Sequence, residues 1–190
     1  VLYTSHKAEV YEPIVREFQE RTGIWVEVVS GGTNELLERI RREQDAPRAD
    51  VMFGGGVESL SACADLFSPY RCAGTEAVAE RYRCAGDLWT PFSALPAVLI
   101  YNTKLAEPGA VTGWADLLSP ELAGSIAFAD PQVSGSAYTA LVTLTAAAGG
   151  DWEDVLRRFA RNLDGRQLKR SGEVLTAVAQ GSCTVGVTLE

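Results

Sequence analysis

Basic charge is scarce in this chain, and the shortage narrows the choice of partner. Only 17 lysines and arginines stand against 25 aspartates and glutamates, a net charge of −8. Long-range attraction for a phosphate backbone or an anionic membrane is missing, so no nucleic-acid partner is expected and a small ligand is the better starting point. Histidine is scarcer still: His6 is the only one, too few for a histidine-rich metal site. No run approaches the ~18 unbroken apolar residues of a membrane span. The four cysteines (Cys63, Cys72, Cys84 and Cys183) form no C-x-x-C pair, which excludes a zinc ribbon or a thioredoxin-type motif. Also missing are G-x-x-x-x-G-K-[ST], H-E-x-x-H and G-x-S-x-G, so an ordinary hydrolase is disfavoured. Gly54-Gly55-Gly56-Val57-Glu58-Ser59 keeps two glycines of a dinucleotide fingerprint but has serine in place of the third. That turn is all that supports a dinucleotide-dependent enzyme.

What is present reads as folded α/β protein. Hydrophobic residues make up 46% and charged residues 22%, near globular averages, and 190 residues suit one large domain or two small lobes. Val1-Leu2-Tyr3-Thr4 reads as a strand with no basic n-region before it, so a signal peptide is expected to have been removed or never present. Over the first ninety residues a short β-branched run, a turn of Ser, Gly or Thr, and an amphipathic helix follow one another. The strands are Val1–Thr4, Ile24–Val29 and Ala49–Phe53. Val10, Ile14 and Phe18 mark one helical face, closed by Gly23; Leu36, Leu37 and Ile40 mark a second, with Arg39, Arg41 and Arg42 mostly on its wet side. This alternation predicts a mostly parallel sheet with helices on both faces.

Residues 66–89 loosen into an irregular excursion. Within it Cys72 and Cys84 each follow arginine and precede Ala-Gly, and a bridge between them is favoured over free thiols, although four cysteines allow three full pairings. Such a bridge implies an oxidising compartment. Further strands are expected at 96–101, 125–129 and 184–189, and helices at 136–148, 152–163 and 173–180, the first of them nearly free of charge and expected to be buried on most sides. The seam is placed after Tyr101, giving lobes 1–101 and 102–190.

Four strand-to-helix turns carry small or hydroxyl residues: Thr4-Ser5-His6, Ser30-Gly31-Gly32-Thr33, Gly54-Gly55-Gly56 and Ser134-Gly135-Ser136. Helix N-termini expose unpaired N–H groups and the positive end of the dipole, so such turns can hold an anion without a basic patch. Ser and Thr also cap helices without any ligand, so it is the conjunction that points to a site. Trp89-Thr90-Pro91-Phe92 is read first as packing and second as a stacking surface. Arg170 and Glu173 are read as a solvated loop and helix start, and Glu190 ends the last strand at a cleft mouth.

These segments resemble a known family. The strand and Ser5-His6, Arg21-Thr22-Gly23-Ile24, Gly31-Gly32-Thr33-Asn34-Glu35-Leu36-Leu37, Ala49-Asp50-Val51-Met52-Phe53-Gly54-Gly55-Gly56, Asn102-Thr103-Lys104-Leu105, Trp114-Ala115-Asp116-Leu117-Leu118, Ala127-Phe128-Ala129-Asp130-Pro131 and Val185-Gly186-Val187-Thr188-Leu189-Glu190 are similar to the solute-binding proteins of ABC importers in the ferric-iron-binding-protein-like group. Asp65-Leu66-Phe67-Ser68-Pro69-Tyr70, Trp89-Thr90-Pro91-Phe92-Ser93 and Asn162-Leu163-Asp164-Gly165 resemble the branch that binds hexose phosphates. The resemblance implies a hinged, two-lobed type II periplasmic-binding-protein fold, periplasmic or extracellular, lipid-anchored in some precursors, delivering its ligand to an ABC permease without catalysis or cofactor. It implies that Ser5, His6, Gly32, Thr33 and Gly55 line the first lobe's side of the cleft, that Ser134, Gly135 and Ser136 hold an oxyanion from the second, and that Thr90, Ser171 and Glu190 complete the site. A phosphorylated sugar or other organophosphate is the implied ligand. Ferric iron is the alternative, but the resemblance assigns no metal ligand, since Leu189-Glu190 and Gly55 stand where iron-binding members have tyrosines and a carboxylate. Family members are longer, so the chain is expected to be incomplete at its C-terminus, with sheet edges open to self-association.

Overall fold

The computed structural model describes residues 1–189, and the chain divides after Leu95 into two compact units. The first is built from β1 (Leu2–Thr4), α1 (Ala8–Thr22), β2 (Val28–Ser30), α2 (Thr33–Arg42), β3 (Val51–Phe53) and α3 (Val57–Ala62). β1 lies between β2 and β3 and parallel to both, with Thr4 opposite Ser30 on one side and Phe53 on the other. All three strands therefore end level, and the three turns that follow them stand side by side.

Local patterning and packing part company in this unit. α1 closes where expected, the Gly23 N–H returning to the Gln19 carbonyl at 2.8 Å, yet none of its residues is buried and Ile14 is 52% exposed. A sheet of three three-residue strands offers little apolar surface, and α2 takes it with Leu36 and Leu37. The strand expected from Ile24 begins only at Val28, because the Gln19 side chain takes the Val26 N–H at 2.8 Å. Arg39 is not on the wet side of α2: its guanidinium lies 4.9 Å over the buried Tyr3 ring, and its Nε donates to Glu43 at 2.8 Å. Arg41 and Arg42 are exposed as expected.

The expected Cys72–Cys84 bridge is not formed; all four cysteines are free. Each of the two opens its own tight turn, the Cys72 carbonyl accepting from Thr75 N–H (3.3 Å) and the Cys84 carbonyl from Asp87 N–H (3.2 Å). The neighbouring arginines pin the excursion in place of a disulfide. Arg83 donates to the Val78 and Glu76 carbonyls at 2.7 and 2.6 Å, while Arg71 pairs with Glu76 at 2.8 Å and Asp87 at 3.8 Å.

The second unit contains β4 (Ala97–Tyr101), β5 (Ile126–Ala129), α4 (Gly135–Ala148), α5 (Trp152–Leu163), β6 (Gln167–Leu168), α6 (Gly172–Ala179) and β7 (Val185–Leu189). Its sheet runs β4-β7-β5-β6, with β4 antiparallel to β7 and the other neighbours parallel. β4 pairs with β7 along its whole length, Ala97 opposite Leu189 and Tyr101 opposite Val185. This ladder corrects the seam: the strand expected to close the first lobe is held in the second unit, so the division falls before it.

The larger core is here. Phe128 and Phe159 meet edge to face with centroids 5.0 Å apart, among Leu117, Ile126, Leu144 and Val185. Buried Asn162 donates to the Leu117 and Ser119 carbonyls at 2.9 and 2.7 Å, tying α5 to the 114–118 turn. α4 buries one stripe, Gly135, Ala137, Ala140 and Leu144, and leaves Val142 exposed, so it is less enclosed than its lack of charge suggests. α6 packs on β7 so closely that a Cβ at Gly186 would stand 2.6 Å from Val174 Cγ1 and 2.8 Å from Val178 Cγ2. Both valines are stiff at χ1 and buried. Gly186→Ala is therefore expected to lower unfolding stability by about 1–3 kcal/mol. Gly113→Ala, where a Cβ meets nothing within 4 Å, should leave it nearly unchanged. Denaturant unfolding of the two variants checks this, and equal midpoints would contradict it.

Candidate functional site

The level strand ends of the first unit are knotted together by Thr4, which is wholly buried. Its hydroxyl donates to the Phe53 carbonyl at 2.8 Å and accepts from His6 N–H at 3.2 Å, while Gly31 N–H reaches the Thr4 carbonyl at 3.1 Å and Ser5 N–H the Phe53 carbonyl at 3.3 Å. Apart from the His6 bond, which closes the first turn on itself, these bonds pull the first turn against the second or third. Gly54 then lies so near the first turn that a Cβ there would stand 2.4 Å from Ser5 Oγ and 3.3 Å from His6 Nε2. A Cβ at Gly55 would meet Thr33 Cγ2 at 3.0 Å. Ser5, His6, Thr33, Gly54 and Gly55 thus form one cluster. Gly32 is in the adjoining turn, but its N–H is already taken by the Glu35 carboxylate at 3.2 Å.

The His6 ring is held between two phenyl rings, Phe53 at 4.7 Å and Phe92 edge-on at 5.3 Å. Its Nε2 is buried with no hydrogen-bond partner among the described residues, and burial alone pushes its pKa below the usual histidine value. Thr90 lies two residues before Phe92, on the segment that lays that ring against His6. Phe53 was not among the site residues expected from the sequence, and Phe92 lay in the segment read first as packing and second as a stacking surface. The one signal for Phe53 was its place as the last strand residue before the glycines.

In the second unit β5 and β6 also end level, Ala129 opposite Leu168, and Asp130 N–H bonds the Leu168 carbonyl at 2.8 Å. Asp130 builds the turn into α4: its side chain accepts from Gln132 N–H at 2.8 Å, and its carbonyl accepts from Val133 and Ser134 N–H at 3.1 and 2.8 Å. Ser134 is 7% exposed and caps α4, its Oγ accepting from Ala137 N–H at 3.3 Å and lying 3.0 Å from Ser136 Oγ. Two hydroxyls and the first peptide N–H groups of a 14-residue helix converge there. The turn after β6 lies alongside, carrying exposed Lys169 and Arg170 and then Ser171, which leads into α6 without a side-chain cap among the described residues. Glu190 lies outside the described residues.

A cavity of about 400 Å³ in the second unit is lined by Ile100–Lys104 on one side and Leu175, Val178 and Ala179 on the other. It sits at the Tyr101 end of β4, which pairs with the start of β7. That is the end of the sheet opposite the α4 turn, so the cavity is not part of the hydroxyl site. Among the described residues no three His, Cys, Asp or Glu side chains gather into a group that could hold a metal ion, and no helix is long and apolar enough to cross a membrane.

A family model described as bacterial extracellular solute-binding protein matches residues 1–190. The Fe(3+)-binding periplasmic protein of Serratia marcescens is 28% identical over 190 residues, which cover 98% of this chain and 55% of that protein. The periplasmic binding protein AfuA from Actinobacillus pleuropneumoniae, solved with exogenous fructose-6-phosphate bound, is similar at a TM-score of 0.80 and 24% identity, over 99% of this chain and 62% of that one. The ferric binding protein from Campylobacter jejuni is similar at 0.84 and 18% identity, over 100% and 61%. The chain thus spans little more than half the length of the Serratia marcescens relative.

Proposed function

The chain belongs to the bacterial extracellular solute-binding proteins and has the α/β fold of type II periplasmic binding proteins; from that premise we propose that it serves as the periplasmic or extracellular receptor of an ABC importer, capturing a phosphorylated small molecule and presenting it to the permease. The observation that carries the ligand class is the Ser134–Ser136 hydroxyl pair at the start of α4. Helix N–H groups and hydroxyls, all neutral donors, bind an oxyanion without a basic patch, which suits a chain of net charge −8. The likeness to a fructose-6-phosphate-bound neighbour agrees with this class. Binding is reversible and without turnover on this reading. Ferric iron is the second reading, favoured by the Serratia marcescens relative named for it.

Thermal-shift screening against glucose 6-phosphate, fructose 6-phosphate, inorganic phosphate, aminoethylphosphonate, ferric citrate and glucose tests both. A ligand at ~100 times its dissociation constant adds about 2.7 kcal/mol to stability. Sugar phosphates are expected to raise the melting temperature and glucose to leave it unchanged. A response to ferric citrate alone, with a visible charge-transfer band, would replace the organophosphate reading with iron.

A further inference from the structure

We propose that the basic strip formed by α5 and the two ends of β6 is a docking surface for a membrane rich in anionic lipid, against which the second unit of the receptor rests. This takes from the proposed function only that the receptor works beside a bilayer, and it holds whichever solute is carried.

The net charge of −8 conceals an uneven distribution. Arg157, Arg158, Arg161, Arg166, Lys169 and Arg170 are six of the chain's 17 basic residues, and Asp164 is the only acid from 157 to 170; the rest of the chain holds 11 bases and 24 acids. All six are exposed. The fold keeps them together. Arg157 and Arg161 are one turn apart on the outer face of α5, opposite buried Val155, Phe159 and Leu163. The chain then turns directly into β6, with Arg166 N–H on the Leu163 carbonyl at 2.9 Å and the Arg166 guanidinium on the Gly124 carbonyl at 3.1 Å. β6 is only Gln167–Leu168 and lies at the edge of its sheet, so Lys169 follows Arg166 within about 10 Å of extended chain.

These charges are uncommitted. In the first unit Arg21, Arg39, Arg41, Arg48 and Arg71 are each paired with a carboxylate. In the strip only Arg157 is, with Asp154 at 3.7 Å; Arg158, Arg161, Arg166, Lys169 and Arg170 have no carboxylate partner among the described residues. Charges beside an edge strand also deter pairing with another chain, but Arg166, Lys169 and Arg170 meet that need and leave the arginines of α5 without a role.

The make-up of the strip selects the partner. Guanidinium groups fork onto phosphate or carboxylate oxygens, so lipid headgroups and an acidic protein both have the chemistry. A protein interface, however, is anchored by aromatic or aliphatic side chains in a dehydrated centre, and no large apolar residue from 153 to 174 is exposed. A plane of headgroups needs no such anchor. The acids elsewhere repel the same membrane, but at physiological ionic strength their fields fade over ~8 Å, so a surface touching the strip meets mostly positive charge. Of the acids beside it, Asp154 pairs with Arg157 and Asp130 is turned to the Gln132 N–H.

Sedimentation of the ligand-free protein with vesicles tests this. At about 0.1 M salt it is expected to bind vesicles of equal parts phosphatidylglycerol and phosphatidylcholine but not phosphatidylcholine alone, and to be released at about 1 M, where the Debye length is ~3 Å. A basic residue near an anionic bilayer is worth a factor of about five, so Arg157→Gln/Arg158→Gln/Arg161→Gln should weaken binding on the order of 100-fold, and Lys169→Gln/Arg170→Gln, outside the helix, about 25-fold. Arg16→Gln/Arg42→Gln/Lys104→Gln lowers the net charge as much as the first variant, at exposed positions outside the strip, and should leave binding nearly unchanged. Circular dichroism checks that each variant folds. Absence of binding to anionic vesicles, equal losses in the two triple variants, or capture by soluble polyglutamate in place of the vesicles overturns the proposal, the last in favour of an acidic protein partner. None of these outcomes touches the receptor reading, which stands or falls on solute binding.

Discussion

Gly54→Ala is expected to destabilise the first unit by roughly 2–5 kcal/mol and to abolish ligand binding. Two separate costs meet at this position. Its φ of +121° is outside the regions an L-residue adopts readily, which alone costs of order 1–3 kcal/mol. The new Cβ would in addition stand 2.4 Å from Ser5 Oγ, and the first turn cannot yield without loosening the hydrogen bonds among Ser5, His6, Thr4 and the Phe53 carbonyl. The costs separate by comparison. Gly74 also has a positive φ, +84°, but a Cβ there meets nothing within 4 Å, so Gly74→Ala should pay only a backbone cost, about 1–2 kcal/mol. Adding Ser5→Ala to Gly54→Ala removes the oxygen from the clash and should recover part of the loss, a non-additivity measurable by a double-mutant cycle in denaturant. Equal losses at Gly54 and Gly74, or strict additivity with Ser5→Ala, would show that the close approach does not matter.

How much of this was legible in the sequence depends on the range of the interaction. The glycine and hydroxyl turns after the strands could be read directly, because a turn's chemistry is written in the residues that make it. Their gathering at one end of the first sheet follows from parallel strands that stop in register, and alternation of strand and helix predicts parallel strands. What the sequence could not supply were long-range partners. The helical period showed that Val10, Ile14 and Phe18 share a face of α1, but not that α2 already occupies the small sheet. A β-branched run from Ile24 promised a strand, but not that Gln19 would take the Val26 N–H. The Arg-Cys-Ala-Gly repeat drew attention to its cysteines, while it is Arg71 and Arg83 that hold the segment. The seam after Tyr101 failed for the same reason: β4 is claimed by a strand more than eighty residues later. His6 was named from its place on a turn, but the aromatic pair around it joins residues from three separate segments, and no local pattern announces that.

Ser134 and Ser136 offer the other large effect, since replacing both by alanine is expected to weaken oxyanion binding by roughly two to four orders of magnitude. A hydrogen bond to a charged group contributes about 1.5–3 kcal/mol, and two would be lost. The two residues should behave differently toward stability. Ser134 caps α4 through Ala137 N–H, so Ser134→Ala should also lower unfolding stability by about 0.5–2 kcal/mol; Ser136 is inside the helix, and Ser136→Ala should cost little. A fall in affinity with Ser136→Ala, at unchanged stability, would therefore report on the ligand and not on the cap. Ser134→Asp sharpens the distinction. Aspartate caps a helix as well as serine and its charge suits the dipole, which offsets part of the cost of placing a carboxylate where only 7% of the residue is exposed, so the variant should unfold somewhat more easily than wild type and still fold. Toward a phosphorylated ligand the added carboxylate is repulsive, and fructose 6-phosphate binding should be lost. Toward ferric iron the same carboxylate is a hard oxygen donor, so iron binding should hold or strengthen. One folded variant thus drives the two ligand readings in opposite directions, and isothermal titration with fructose 6-phosphate and with ferric citrate tells which direction the site takes.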